Sequence, residues 1–93
     1  MSDKTTLTLP ENFDISQAKA VKERMEKSLA KDVSKVDVKA DSVDRADSAS
    51  IQLLLSFQNA VIDSGKEFTI LKPSNEFLAA IEILGATKSL GLE

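Results

Sequence analysis

The sequence predicts an α/β domain built on a small, mainly parallel sheet, with elements in the order β-α-β-α-β-α. Three observations carry that expectation. Short runs rich in β-branched residues alternate with longer segments of helical periodicity, the pattern of parallel strands joined by right-handed crossovers. The chain has 93 residues, which suits one compact domain and leaves no room for two, so residues 1–93 are expected to form a single unit. Its hydrophobic content is 42%, ordinary for a soluble globular chain. A domain of this size buries roughly 60–65% of its unfolded surface, an adequate but thin core.

The first strand is Thr5 to Leu9, where apolar and β-branched polar residues alternate as in a half-buried strand. Pro10 cannot donate a ladder hydrogen bond and ends it. The segment Pro10 to Asp14 reads as a turn. Asp14 or Ser16 is expected to cap the next helix by accepting from its free N–H groups. Ile15, Ala18, Val21, Met25 and Leu29 follow at helical spacing, with Lys22, Glu23, Glu26 and Lys27 on the opposite face. Glu23 and Lys27 stand i,i+4 in the favourable order, worth ~0.3–0.5 kcal/mol if paired.

A second strand is expected from Lys35 to Ala40. Its alternation of Asp37 and Lys39 with Val36 and Val38 suggests an edge position or an exposed sheet face. Asp41 to Asp47 reads as an acidic loop. Ser48 to Ser64 is a strong helix. Ile51, Leu54, Leu55 and Ile62 mark one face, and Leu53, Phe57, Ala60 and Val61 widen it. Gly65 is a natural stop. Phe68 to Leu71 forms a third strand, and Pro73 and Ser74 open a last helix with Phe77, Leu78, Ile81 and Leu84 inward. Gly85 ends that helix, and Thr87 to Leu90 forms a further short turn or helix. Leu92-Glu93 has the form of a cloning scar and carries no functional weight.

Composition excludes several function classes. Without Cys there is no disulfide, thiol nucleophile or zinc-thiolate site, and without His the commonest general base and metal ligand is missing. Trp and Tyr are absent and the net charge is −3, a poor match to nucleic acid. No apolar run approaches the ~20 residues of a membrane span. Met1 to Thr6 lacks the apolar stretch of a secretory signal, so a cytoplasmic location is the default expectation. Catalysis by carboxylates alone stays open on composition, yet no nucleophile–base pair, Gly-rich phosphate loop or metal constellation is legible. Asp41, Asp44 and Asp47 lack the Gly turn and terminal Glu of an EF-hand. No catalytic residue, metal or cofactor is expected.

The junction Val43-Asp44-Arg45-Ala46-Asp47-Ser48-Ala49-Ser50-Ile51-Gln52-Leu53-Leu54-Leu55 carries the strongest signal. It resembles the STAS domain of bacterial anti-anti-sigma factors and of their relatives in chemotaxis and transport. The family pattern is a strand, a short acidic loop, Asp-Ser or Asp-Thr with small residues, then a Leu-rich helix. Asp47-Ser48-Ala49 and Ile51-Gln52-Leu53-Leu54 match it in register, and Phe13-Asp14-Ile15 looks like the family's Leu-Asp segment. Gly65, the strand at Phe68 to Leu71 and the Pro73-Ser74 helix start also fall in the family's places. The likeness covers roughly residues 5 to 90. It departs in lacking a full additional N-terminal strand, in having Ser50 where many relatives have Gly, and in the polarity of the second strand.

The resemblance implies a STAS fold and an anti-sigma-factor-antagonist type of function. In phospho-regulated relatives a partner kinase modifies the Ser or Thr after the Asp, which is Ser48 here. Asp14, Asp47, Ala49 and Ser50 are the expected partner-binding residues. By chemistry alone Ser48 reads first as a good N-cap, as do Asp47 and Ser50; the resemblance adds the phosphoacceptor role, and the two are compatible. A helix N-terminus tolerates a phosphate, while neighbouring carboxylates oppose it, so a binding switch without a folding switch is expected. The partner would be a serine kinase or anti-sigma-like factor, a phosphatase or a chemotaxis-type signalling protein. The alternative is a constitutive STAS accessory subunit of a lipid-transport ABC complex, docking without phosphate.

Overall fold

Alternation in the first strand is matched by its burial. In the computed structural model, which describes residues 3–92, Thr5, Leu7 and Leu9 point inward while Lys4, Thr6 and Thr8 stay exposed. The elements are β1 (Lys4–Thr8), β2 (Asn12–Phe13), α1 (Ala18–Ala30), β3 (Lys35–Lys39), β4 (Arg45–Ala46), α2 (Ser48–Asp63), β5 (Glu67–Leu71) and α3 (Asn75–Ile83). The main sheet has the order β1-β3-β5, with both pairings parallel. Because that order rises along the chain, two right-handed crossovers place α1 and α2 on the same face. Leu7, Val36, Val38 and Ile70 from the strands meet Val21 and Met25 of α1 and Ile51, Leu54, Phe57 and Val61 of α2 in one core. Phe77 and Ile81 of α3 extend it, and Phe57 meets Phe68 edge-to-face at 6.1 Å between centroids.

The polar β3 is the central strand, which overturns the edge expectation. By register, Asp37 stands between Thr6 and Thr69 on the face away from Val36 and Val38. It is 1% exposed. Lys4 Nζ lies 3.3 Å from one of its oxygens and Lys35 Nζ 3.7 Å from the other. A buried carboxylate is retained only when paired, and these two lysines, kept part-exposed, fold over it.

The stretches read as turn and acidic loop contain a second, two-stranded sheet. β2 pairs parallel with β4, Asn12 opposite Arg45 and Phe13 opposite Ala46. It anchors fully buried Phe13. Two-residue strands are too short to show periodicity, which is why the sequence hid them.

Helix boundaries hold better than helix faces. α1 starts at Ala18, because residues 14–17 form a turn closed by Gln17 N–H to the Asp14 carbonyl at 2.9 Å. Ile15, expected on the inward stripe, sits in that turn and is 71% exposed. Neither Asp14 nor Ser16 caps α1: its N-cap is Gln17, with no side-chain bond to the helix. Among the described residues Glu23 and Lys27 form no ion pair. On α2, Phe57 and Val61 take the inward place while Ile62 faces solvent, and Leu84 lies exposed past the end of α3. Gly65 and Gly85, with φ of +79° and +70°, make the left-handed turns that end α2 and α3. Leu92, given no weight from sequence, packs against the core and donates its N–H to the Thr87 carbonyl, while Glu93 lies outside the described residues. No described helix is long and apolar enough to cross a membrane.

Candidate functional site

Three polar residues at the start of α2 compete for the capping role, and backbone geometry decides among them. Asp47 is extended (φ −100°, ψ 169°), the conformation an N-cap requires, and one carboxylate oxygen accepts from Ser50 N–H at 2.8 Å. Ser48 is therefore the first helical residue. It is exposed, and its hydroxyl has no hydrogen-bond partner among the described residues. Ala49 beside it is exposed as well. Ser50 differs from the expectation that it meets a partner: it is fully buried beneath the helix start and offers no surface. Its Oγ makes no formed hydrogen bond, although it sits close enough to Asp47 to favour the charged carboxylate.

The same cap ties two loops together. The second oxygen of Asp47 accepts from Ile15 N–H at 2.9 Å, across 32 residues of chain. Asp14 answers from the other side: one oxygen accepts from Ser16, holding the turn, and the other receives the Arg45 guanidinium at 3.0 Å. Asp14, Ile15, Arg45 and Asp47 thus form a lattice above the β2–β4 pair, next to Ser48. Hydrogen bonding sets the charges. The Ser50 N–H, then Ile15 N–H and Arg45, hold the Asp47 carboxyl below the usual carboxylate value against some desolvation. The Ser16 hydroxyl, assisted by Arg45, does the same for Asp14.

Ser48 also opens onto a groove of about 410 Å³ between this junction and α3. Ala46, Ala79, Ala80, Ile83 and Leu84 give it aliphatic walls, and Asp44, Arg45 and Glu76 bring charge to it. Ile83, 85% exposed, and Leu84 beside it add exposed apolar surface to the rim of this groove. Sequence reasoning missed Ile15, Arg45 and this face of α3. One signal was available: Glu76, Ala79, Ala80 and Ile83 repeat at helical spacing, on a face beside the buried stripe of Phe77 and Ile81.

The arrangement sets an unengaged hydroxyl at the positive end of a 16-residue helix, beside fixed carboxylates and an apolar groove. Among the described residues no three His, Cys, Asp or Glu side chains are grouped to hold a metal ion. A family model described as "Mlab, STAS domain" matches residues 1–92. No curated protein matches the chain.

Proposed function

The chain belongs to the STAS domain family, and from that premise we propose that it is a regulatory interaction module of the anti-sigma-factor-antagonist type, switched by phosphorylation of Ser48. STAS domains mediate protein–protein interactions. The observation that carries the proposal is the division of labour at the start of α2. Asp47 does the capping, so the Ser48 hydroxyl is exposed and can be modified without dismantling the helix start.

A phosphate there adds about −1.5 to −2 charge next to the Asp47 cap and near Asp44 and Glu76, with Arg45 of the same groove as a counter-charge. Within the fold the helix dipole offsets this repulsion, by about 0.3–1 kcal/mol at an exposed site. At an interface the offset fails, because like charges brought together cost several kcal/mol, roughly a hundredfold in affinity. The partner is a serine kinase or anti-sigma-like factor, a phosphatase or a chemotaxis-type signalling protein, and the module acts by binding without catalysis, in the cytoplasm. Asp14, Asp47 and Ala49 stay with Ser48 as partner contacts, joined by Ile15 and Ile83.

Affinity capture with Ser48→Ala and Ser48→Asp baits, combined with phosphosite mass spectrometry of the native protein, tests this. A kinase or signalling protein held by the Ala bait and released by the Asp bait supports the switch. Absence of phosphate on Ser48 under every growth condition sinks it. The aliphatic stripe of Ala79, Ala80 and Ile83 favours a second reading, a constitutive subunit docked on a lipid-transport ABC ATPase. Equal, stoichiometric capture of one ATPase by both baits selects that reading.

A further inference from the structure

A separate region, sharing no residue with the Ser48 groove, carries an open strand edge. Among the described strands β1 pairs with β3 alone. Leu9 donates its N–H to the Lys39 carbonyl, and the Asp3 carbonyl accepts from Ser34 N–H. In a parallel pair both backbone groups of a residue face the same neighbour, so odd-numbered residues of this strand face β3. The N–H and C=O groups of Lys4, Thr6 and Thr8 therefore face outward, a ready template for another strand.

Beside that edge runs a row of cations. A cleft of about 160 Å³ lies between Thr6 and Leu7 of β1 and Arg24, Lys27, Ser28 and Lys31 along α1. No carboxylate lines it. Arg24, Lys27 and Lys31 are exposed and take part in no ion pair among the described residues, although the chain as a whole is acidic. Lys31 is held toward the strand by donating to Thr5 Oγ1 at 3.0 Å. The row spans about 10 Å of helix at ~1.5 Å per residue, and alternate residues of a strand are ~6.6 Å apart. Two or three same-side residues of an added strand match that span.

We propose that the β1 edge takes an extended acidic segment of a partner protein as an added strand, its alternate carboxylates set against Arg24, Lys27 and Lys31. Backbone pairing supplies the register and the cations select the charge. A second copy of this chain does not fit: pairing two β1 edges sets Lys4, Arg24, Lys27 and Lys31 of one copy against the same residues of the other.

The probe is a capped synthetic peptide of about nine residues alternating Glu with Val or Thr, titrated at low salt into the full chain and followed by amide NMR shifts. Perturbations are expected at Lys4–Thr8 and Arg24–Lys31, with affinity falling roughly tenfold or more in Arg24→Glu/Lys27→Glu/Lys31→Glu. Thr6→Pro removes an outward N–H without touching the bonds to β3 and also abolishes binding. A peptide N-methylated at alternate residues keeps its charge and loses strand pairing. If it binds as well as the parent, the contact is mere charge attraction and the proposal is overturned. No binding at millimolar peptide, shifts confined to α2 and α3, or self-association through β1 seen by sedimentation overturn it equally. No variant in this test alters Ser48 or the groove beside it.

Discussion

The two crossover helices have the same topological task on the same sheet face, yet they are made differently. α2 carries no charged residue before Asp63 and buries Ile51, Leu54, Phe57 and Val61. α1 is charged at Lys19, Lys22, Glu23, Arg24, Glu26 and Lys27, and its buried apolar residues are Val21 and Met25. Their starts differ in the same sense. Asp47 caps α2 and ties it to the neighbouring loop, whereas α1 begins without a side-chain cap. A helix seated deeply in the core has its start fixed by that seat, so a polar group placed there is held still. A helix that floats on one apolar stripe leaves its start to local turn chemistry. The first kind suits a modification site that must be presented in one geometry. The second suits a charged, forgiving surface such as the one facing the β1 edge.

The largest expected effect tests the depth of seating. Leu54→Ala empties a fully buried site and is expected to cost ~2–5 kcal/mol in urea unfolding. Val21→Ala on α1 removes less volume and is expected to cost about 1–3 kcal/mol. Equal losses from the two would break the contrast. Next comes the switch itself: Ser48→Asp is expected to weaken partner binding by roughly a hundredfold relative to Ser48→Ala, by calorimetry, while their unfolding free energies agree within about 1 kcal/mol. A smaller effect is expected at the third helix start, where Ser74 accepts from Phe77 N–H and donates to the Val43 carbonyl. Ser74→Ala is expected to cost about 1–2 kcal/mol in thermal unfolding.

A subtler measurement isolates charge at the α2 cap. Asp47→Asn keeps an acceptor and removes the carboxylate. The folded-state pKa of Asp47 is lowered, so its contribution is full above the unfolded value of ~3.9 and is lost as pH falls through the folded value. Wild type is expected to exceed Asp47→Asn in stability by a constant margin from pH 7 to about 5, and the two acid-unfolding curves are expected to converge at lower pH. The smallest effect is expected at α1. Gln17 has a helical backbone (φ −104°, ψ −6°), not the extended one of a working cap. Gln17→Asp is therefore expected to gain less than about 0.5 kcal/mol, and a gain near a full cap's worth would show that the two starts are interchangeable.

These contrasts also mark what could be read from sequence. Every main-sheet strand and every helix was legible, because Thr5 to Leu9, Ser48 to Ser64 and their like carry whole periods of pattern. The STAS resemblance rested on Asp47-Ser48-Ala49 and the Leu-rich run behind it, and the chain belongs to that family. The local geometry was less legible. Ile15 matched the stripe of α1 by spacing, but Asp14 bonds to Ser16 and postpones the helix, so the stripe starts three residues later and Ile15 is turned outward. Ser50 looked like surface because its residue type favours helix starts, yet α2 is seated so deeply that its third residue is already interior. The polar β3 looked like an edge because the two lysines that cover Asp37 approach it from β1 and from its own strand, a tertiary fact with no periodic signature.

The all-parallel pairing has a kinetic consequence. Lys4 meets Lys35, Asn12 meets Arg45 and Lys35 meets Glu67, so every strand pairing closes a loop of 31–33 residues. No hairpin exists among these pairings to nucleate the sheet locally. The entropy of each closure is spent before its ladder forms, and the three closures are nearly equal in cost. Each pairing therefore waits on the chain between its strands, and no strand has its ladder partner next to it in sequence. A nick within either crossover is thus expected to slow refolding, because it turns an intramolecular closure into the meeting of two separate pieces.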